Sequence, residues 1–232
     1  MNIKEMVHDY VANVQKEKQT EAEMAEAGQK LDQPKYDMRG VKTRLLDDFA
    51  KTLSRIDADF YQFPLTNNDE VMLAGFYIGR STRPSSEKVG YIKKLLPHIQ
   101  DWCTCDAIIS RIKGMESEKD FFISLLDSPH VFSARAGVVW LIKYALKDDL
   151  KGVVNLLKSV KNDEFYVKMA IAWCYGEAFA LDYNYMYKFM HDIDDEFIRN
   201  KTVQKACISY KLTDAQKEEI KKLKIKSEKS EE

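Results

Sequence analysis

Glycine and proline are scarce in this sequence, with 9 and 5 residues among 232. This scarcity argues against a turn-rich β architecture. No apolar run approaches the roughly 20 residues that a membrane-spanning helix needs, so we expect no membrane association. The four cysteines lack a framework spacing, which predicts reduced thiols in the cytoplasm and no disulfide scaffold.

The sequence also lacks a clear metal-binding motif. Cys103 and Cys105 form a C-x-C pair, but no histidine or second cysteine pair lies nearby. Because structural zinc requires about four ligands, this pair alone is a weak indication of a metal. We therefore expect no metal at this pair.

The sequence has no large excess of charge of either sign, since it contains 36 Lys and Arg residues and 37 Asp and Glu residues, for a net charge of −1. A polyanionic partner would therefore need a local basic face. Basic residues do cluster at several places, although such clusters are usually solvated surface. They are Arg80/Arg83, Lys88/Lys93/Lys94, Arg111/Lys113 and 217–229.

Hydrophobic residues recur at helical spacing along nearly the whole chain, and no segment has a convincing strand pattern. The predicted helices cover 3–16, 21–31, 41–53, 69–79, 86–99, 101–113, 117–126, 131–146, 148–159, 163–179, 182–191 and 195–210, followed by a last helix that a Thr213–Gln216 capping box opens.

The lengths and pairing of these helices predict an all-α fold. They recur in pairs at intervals of roughly 30 to 40 residues, as in stacked helical repeats. Such an α-solenoid has one layer of helices on a concave face. We predict a single domain over residues 1–226 and a disordered charged tail over 227–232; an ordinary helical bundle is the alternative.

Three helices supply the candidate functional residues. Trp102 and Asp106 are four residues apart, so they share a helical face. Alone, such a pair is usually structural, a half-buried indole beside a solvated carboxylate. Two later apolar helices each contain one conspicuous residue, Arg135 and Trp173. In a solenoid, these four side chains would have to converge on the concave layer.

These residue types suit a cationic group attached to a phosphate backbone. An indole face attracts a cation by about 0.5 to 2 kcal/mol. A carboxylate stabilises the positive charge that develops on a sugar when its glycosidic bond breaks. The planar fork of an arginine binds phosphate. Helical spacing extends the candidate site to Glu177 and Tyr166 around Trp173, and to Lys113, two turns beyond Asp106.

In order and spacing, these motifs resemble those of the AlkD-like DNA alkylation repair proteins, a family of HEAT-like-repeat DNA glycosylases. The similarity extends over about residues 3 to 224. The motifs are Gly40-Val41-Lys42-Thr43, Trp102-x-x-x-Asp106, Ala134-Arg135-Ala136, Tyr166-Val167-x-x-Ala170-Ile171-x-Trp173-x-x-x-Glu177, and the helix 195–210.

The resemblance implies a solenoid of HEAT-like repeats with a concave DNA-binding face. It implies release of positively charged N3- and N7-alkylpurines from duplex DNA, without the base flipping that is usual in base chemistry. By resemblance, Asp106 would stabilise the oxocarbenium-like sugar and orient water. Trp102 and Trp173 would pack against the deoxyribose and lesion backbone, and Arg135 would contact the adjacent phosphate.

The resemblance further implies duplex DNA carrying alkylated bases as the partner and implies no metal or other cofactor, and we expect a monomer. Lys113, Glu177 and Tyr166 are weaker candidates for DNA contact. The chain departs from the family pattern at Gly176, where the family often has a basic residue, and at 25–28, where it lacks the family's aromatic residue.

Two other functions remain open. A non-catalytic helical scaffold could bind nucleic acid or a protein, and a buried ion pair of Arg135 with Asp106 or Glu177 would favour that interpretation. A glycosidase that acts on free sugars would need a second carboxylate about 5 to 10 Å from Asp106. Glu177 is the only obvious candidate for that carboxylate.

Overall fold

The computed structural model describes residues 2–16 and 40–225. In this part of the chain it has twelve α-helices, a few short 3₁₀ turns and no strand, so the predicted all-α class is confirmed. The α-helices are α1 Ile3–Lys16, α2 Thr43–Arg55, α3 Asn68–Arg80, α4 Ser85–Leu95, α5 Trp102–Ile109, α6 Lys119–Ser124, α7 Val131–Tyr144, α8 Leu150–Lys158, α9 Phe165–Phe179, α10 Tyr183–Phe189, α11 Glu196–Cys207 and α12 Asp214–Lys221.

Several helices begin where the sequence predicts a capping residue. Asn67 accepts a hydrogen bond from the backbone N–H of Glu70 and so caps α3. Thr213 and Gln216 form the predicted capping box at the start of α12, each side chain bonding to the other residue's backbone N–H. These caps pair backbone N–H groups that have no partner within the helix.

The helix predicted over 101–113 is shorter than expected, because α5 ends at Ile109 and Lys113 lies beyond it. A Cβ atom at Gly79 of α3 would clash with the carbonyl oxygen of Arg111. The backbone after α5 therefore crosses α3 at a place where only glycine leaves room. The chain after α5 thus packs against α3 and does not continue as the last turn of the predicted helix, so the position predicted for Lys113 is corrected.

The chain divides into two compact units between Phe121 and Phe122. In the first unit, α3 packs against α2 and α5. In the second unit, α9 packs against α7 and α11. Residues 132–141 of α7 are all buried, which confirms the prediction of a central buried helix.

Four predictions about chain organisation are not tested. A single domain over 1–226 and a stack of repeats remain predictions. The tail at 227–232 and the helix predicted at 21–31 lie outside the described residues. Among the helices that the structure does describe, none is both long and apolar enough to cross a membrane.

Candidate active site

Trp102 and Asp106 lie one turn apart at the start of α5, as their spacing predicts. The indole of Trp102 is among the few large apolar side chains that are exposed, at 37%. Asp106 is half-buried. The two side chains therefore present an aromatic surface and a carboxylate on one helical face that solvent and a ligand can reach.

Asp101 fixes the start of this helix, a role that the sequence analysis missed. Its side chain is only 5% exposed. One carboxylate oxygen accepts a hydrogen bond from the backbone N–H of Thr104 at 2.8 Å, and the other accepts one from Nδ2 of Asn68 at 2.8 Å. Asp101 is thus an N-cap that ties α5 to the first turn of α3. An aspartate directly before the first helical residue was the available signal.

Arg135 is buried in α7, with 5% of its surface exposed. Its Nη1 donates a hydrogen bond to the carbonyl oxygen of Tyr166 at 2.7 Å. Tyr166 belongs to the first turn of α9. The backbone carbonyl groups of a first turn normally accept hydrogen bonds from N–H groups of the same helix. Arg135 therefore joins α7 to the start of α9, and its guanidinium is held in place by the main chain of that helix.

Trp173 and Glu177 form a second pair of a tryptophan and a carboxylate, on α9. Nε1 of Trp173 donates a hydrogen bond to Oε1 of Glu177 at 3.2 Å. The ammonium nitrogen of Lys143, on α7, lies 5.1 Å from the centroid of the indole ring. Glu177 is thus engaged by Trp173, and among the described residues it forms no ion pair with Arg135.

Lys113 is exposed and lines a depression of about 380 Å³ in the first unit. Two arginines line the same depression, and both are engaged within the protein. Arg80 binds both carboxylate oxygens of Asp47, which holds the pKa of Asp47 below its usual range. The guanidinium of Arg111 lies 4.6 Å from the ring centroid of Phe76.

The predicted site residues thus form two sets, one in each unit. Trp102 and Asp106 share α5, whereas Arg135, Tyr166, Trp173 and Glu177 lie on α7 and α9. Their convergence on one groove stays a prediction. The described residues include no group of three or more His, Cys, Asp and Glu side chains that could hold a metal.

The two sets together comprise two indoles, two carboxylates, a guanidinium and a phenol. The family model for DNA alkylation repair enzymes matches residues 10–207, so the chain belongs to this family. No curated protein and no solved structure matches it significantly. Membership confirms the resemblance drawn from the motifs and indicates an enzyme of DNA alkylation repair, with DNA as its substrate.

Proposed function

We propose that this protein is a DNA glycosylase that hydrolyses the N-glycosidic bond of N3- and N7-alkylpurines in duplex DNA, without flipping the base. The proposal includes a HEAT-like solenoid with a concave DNA-binding face, and a monomer that acts in the cytoplasm. The observation that supports it best is the accessible face of α5, where Trp102 and Asp106 stand one turn apart.

The lesion itself supplies part of the chemistry. An N3- or N7-alkylated purine is positively charged, so it leaves the sugar as a neutral base when it takes the electron pair of the glycosidic bond. No protein group has to donate a proton to it. The charge moves to the deoxyribose, and this is the point where an enzyme can lower the barrier.

We assign to Asp106 the stabilisation of that positive charge on the deoxyribose. A half-buried carboxylate interacts more strongly with a developing cation than one in bulk water, because the local dielectric constant is lower. The same carboxylate can accept a hydrogen bond from the water that attacks C1′ of the sugar. This attack forms the new C–O bond, and the water's proton leaves to the carboxylate or to solvent.

The other candidates position the substrate. Trp102 and Trp173 offer indole faces to the deoxyribose and the cationic lesion. Arg135 is assigned to the adjacent phosphate, with its guanidinium oriented by the carbonyl of Tyr166. Lys113 is assigned to the DNA backbone, because it is exposed beside two arginines that are already engaged.

The test is release of 7-methylguanine and 3-methyladenine from methylated duplex DNA by the wild type and Asp106→Asn, corrected for spontaneous depurination. Asn keeps the shape of the side chain and removes its charge. We expect release by the wild type, its loss in the variant, and nearly unchanged binding of undamaged duplex. Equal release by both proteins would refute the role of Asp106.

A folded wild type that binds DNA but releases no base would instead support the scaffold alternative. The glycosidase acting on free sugars is less well supported, because its proposed second carboxylate, Glu177, is engaged by the indole of Trp173. Activity of the wild type on a free aryl glycoside would favour it.

A further inference from the structure

A depression of about 310 Å³ lies beside Trp173 in the second unit, and no role has been assigned to most of its residues. It is formed by α9, by the end of α11 and by the turn that follows. Its lining consists of Trp173, Gly176, Glu177, Lys205, Ile208, Ser209, Tyr210 and Lys211.

Gly176 determines how closely the two helices approach. A Cβ atom at this position would lie 2.7 Å from Cβ of Lys205 and 3.4 Å from the backbone nitrogen of Ala206. Since real Cβ atoms do not come this close to another carbon, any other residue would push α11 away from α9. The glycine thus holds the stem of Lys205 next to the turn of α9 that contains Trp173 and Glu177.

The depression has an excess of positive charge. Lys205 and Lys211 form no ion pair with any residue in the described part of the chain, whereas its carboxylate, Glu177, accepts the hydrogen bond from Trp173. Some lysines elsewhere in the same unit do form ion pairs. Lys168, for example, lies 2.7 Å from a carboxylate oxygen of Asp163 and 2.8 Å from one of Asp195.

Large apolar side chains at the rim are unusually exposed. Tyr210 is 90% exposed and Ile208 is 75% exposed. Exposed aromatic rings beside lysines suit nucleic acid, because the ammonium groups bind the backbone phosphates and the ring packs against a sugar or base. An apolar surface of a protein partner would suit the rim, but it would not suit the positive charge of the two lysines beside it.

We propose that Lys205 and Lys211 bind the phosphodiester backbone of the duplex DNA substrate beside Trp173, with Tyr210 against a sugar of the same strand. This proposal rests on the proposed function, since it places the contact next to an indole assigned to the lesion. It adds two cationic residues that contribute affinity for the backbone and do not take part in the chemical step.

The experiment compares the wild type with Lys205→Gln/Lys211→Gln. Glutamine preserves the stem that packs against Gly176 and removes the charge. Binding of an undamaged fluorescent duplex is followed by anisotropy at several salt concentrations. Each phosphate contact adds roughly 0.9 to the slope of log K against log salt. We therefore expect the slope to fall by about 2 and the Kd to rise about tenfold or more at low salt.

Lys147→Gln/Lys188→Gln is the matched control, because both lysines are exposed in the same unit and neither lines the depression. It makes the same change in net charge and should alter the slope much less. Equal shifts in both double variants, or no shift in the first, would overturn the proposal. Tyr210→Ala should weaken binding about threefold to tenfold without changing the slope, and Tyr210→Phe should preserve binding.

Because the duplex is undamaged, the result does not depend on catalysis. A wild type that releases alkylpurines, together with unchanged binding by Lys205→Gln/Lys211→Gln, would refute this inference and leave the proposed function intact. A wild type that binds through these lysines but releases no base would support this inference and refute the proposed function. A folded wild type that fails to bind the duplex would contradict the inference directly.

Discussion

Two helices of this protein contain a tryptophan four residues before a carboxylate, and the two pairs differ. On α9, Nε1 of Trp173 donates a hydrogen bond to Glu177 at 3.2 Å. On α5, the indole of Trp102 forms no hydrogen bond within the described residues, and Asp106 stands one turn away. The spacing is identical, so the helical geometry alone does not account for the difference.

The length of the acidic side chain offers a physical explanation. Glutamate has one methylene group more than aspartate, so it can reach back over one helical turn to the indole N–H. The shorter Asp106 makes no such bond to Trp102. A shared face therefore does not imply the same local contact: Glu177 accepts a hydrogen bond from its indole, and we expect the two carboxylates to have different roles.

Near the start of each of these two helices lies a contact from a buried charged residue that the spacing does not reveal. Asp101 caps α5 and accepts a hydrogen bond from Asn68, so it fixes the start of the helix at Trp102. Arg135 binds the carbonyl of Tyr166 and so fixes the start of α9. In both units, a buried charged side chain thus makes a polar contact between two helices near the start of the helix that contains the tryptophan.

The sharpest test of the comparison replaces each carboxylate by its amide. Asp106→Asn should slow release of 7-methylguanine by about 100- to 1,000-fold, the range typical of a lost transition-state contact. Glu177→Gln should stay within about threefold of the wild type, because its amide oxygen can still accept the hydrogen bond from Trp173. Single-turnover rates measure both, and equal losses in the two variants would contradict the distinction.

The supporting contact to α9 should matter for stability as well as for activity. Arg135→Ala removes a hydrogen bond from a charged donor and leaves the carbonyl of Tyr166 without it. We expect the free energy of unfolding to fall by about 2 to 3 kcal/mol, and both DNA binding and base release to weaken. Urea unfolding measures the first effect. Arg135→Lys is the control; full stability of Arg135→Ala would show that the contact contributes nothing.

A longer side chain at position 106 should make α5 resemble α9. In Asp106→Glu the carboxylate can reach Nε1 of Trp102, as Glu177 reaches that of Trp173. The charge remains but is displaced, and we expect release to slow about tenfold, since a displacement of about 1 Å can be costly. Binding of undamaged duplex should not change. Activity equal to the wild type would show that side-chain length is not the decisive difference.

The smallest effect, on the free energy of unfolding, is expected from substitution at the third residue after a tryptophan. It is Cys105 on α5, which is buried, and Gly176 on α9. Gly176→Ala should lower the free energy of unfolding by about 1 kcal/mol, because overpacking against Lys205 outweighs the gain in helix propensity. Gly90→Ala is the control, since the nearest atom to its added Cβ is 3.7 Å away.

Gly90→Ala should therefore stabilise the protein by up to about 1 kcal/mol. Thermal unfolding of the two variants gives the comparison. If both substitutions stabilise the protein, the close approach of α11 to α9 at Gly176 is not required, and the depression beside Trp173 loses its structural explanation.

The sequence by itself determined the helices and most of their starting points. The hydrophobic periodicity of α7 predicted a central buried helix, and Thr213 with Gln216 predicted a capping box. The spacing of Trp102 and Asp106 placed both on one face. These features depend on residues within a few positions of each other, so the local sequence is sufficient to specify them.

Only the tertiary structure decided the features that depend on distant residues. It ends α5 at Ile109 and brings the backbone that follows close to α3 at Gly79. It buries Arg135 and gives it a partner 31 residues later in the chain. It also brings Lys205 against Gly176. The distance between two packed helices is set by the side chains that meet there, and no local pattern specifies which distant residues those will be.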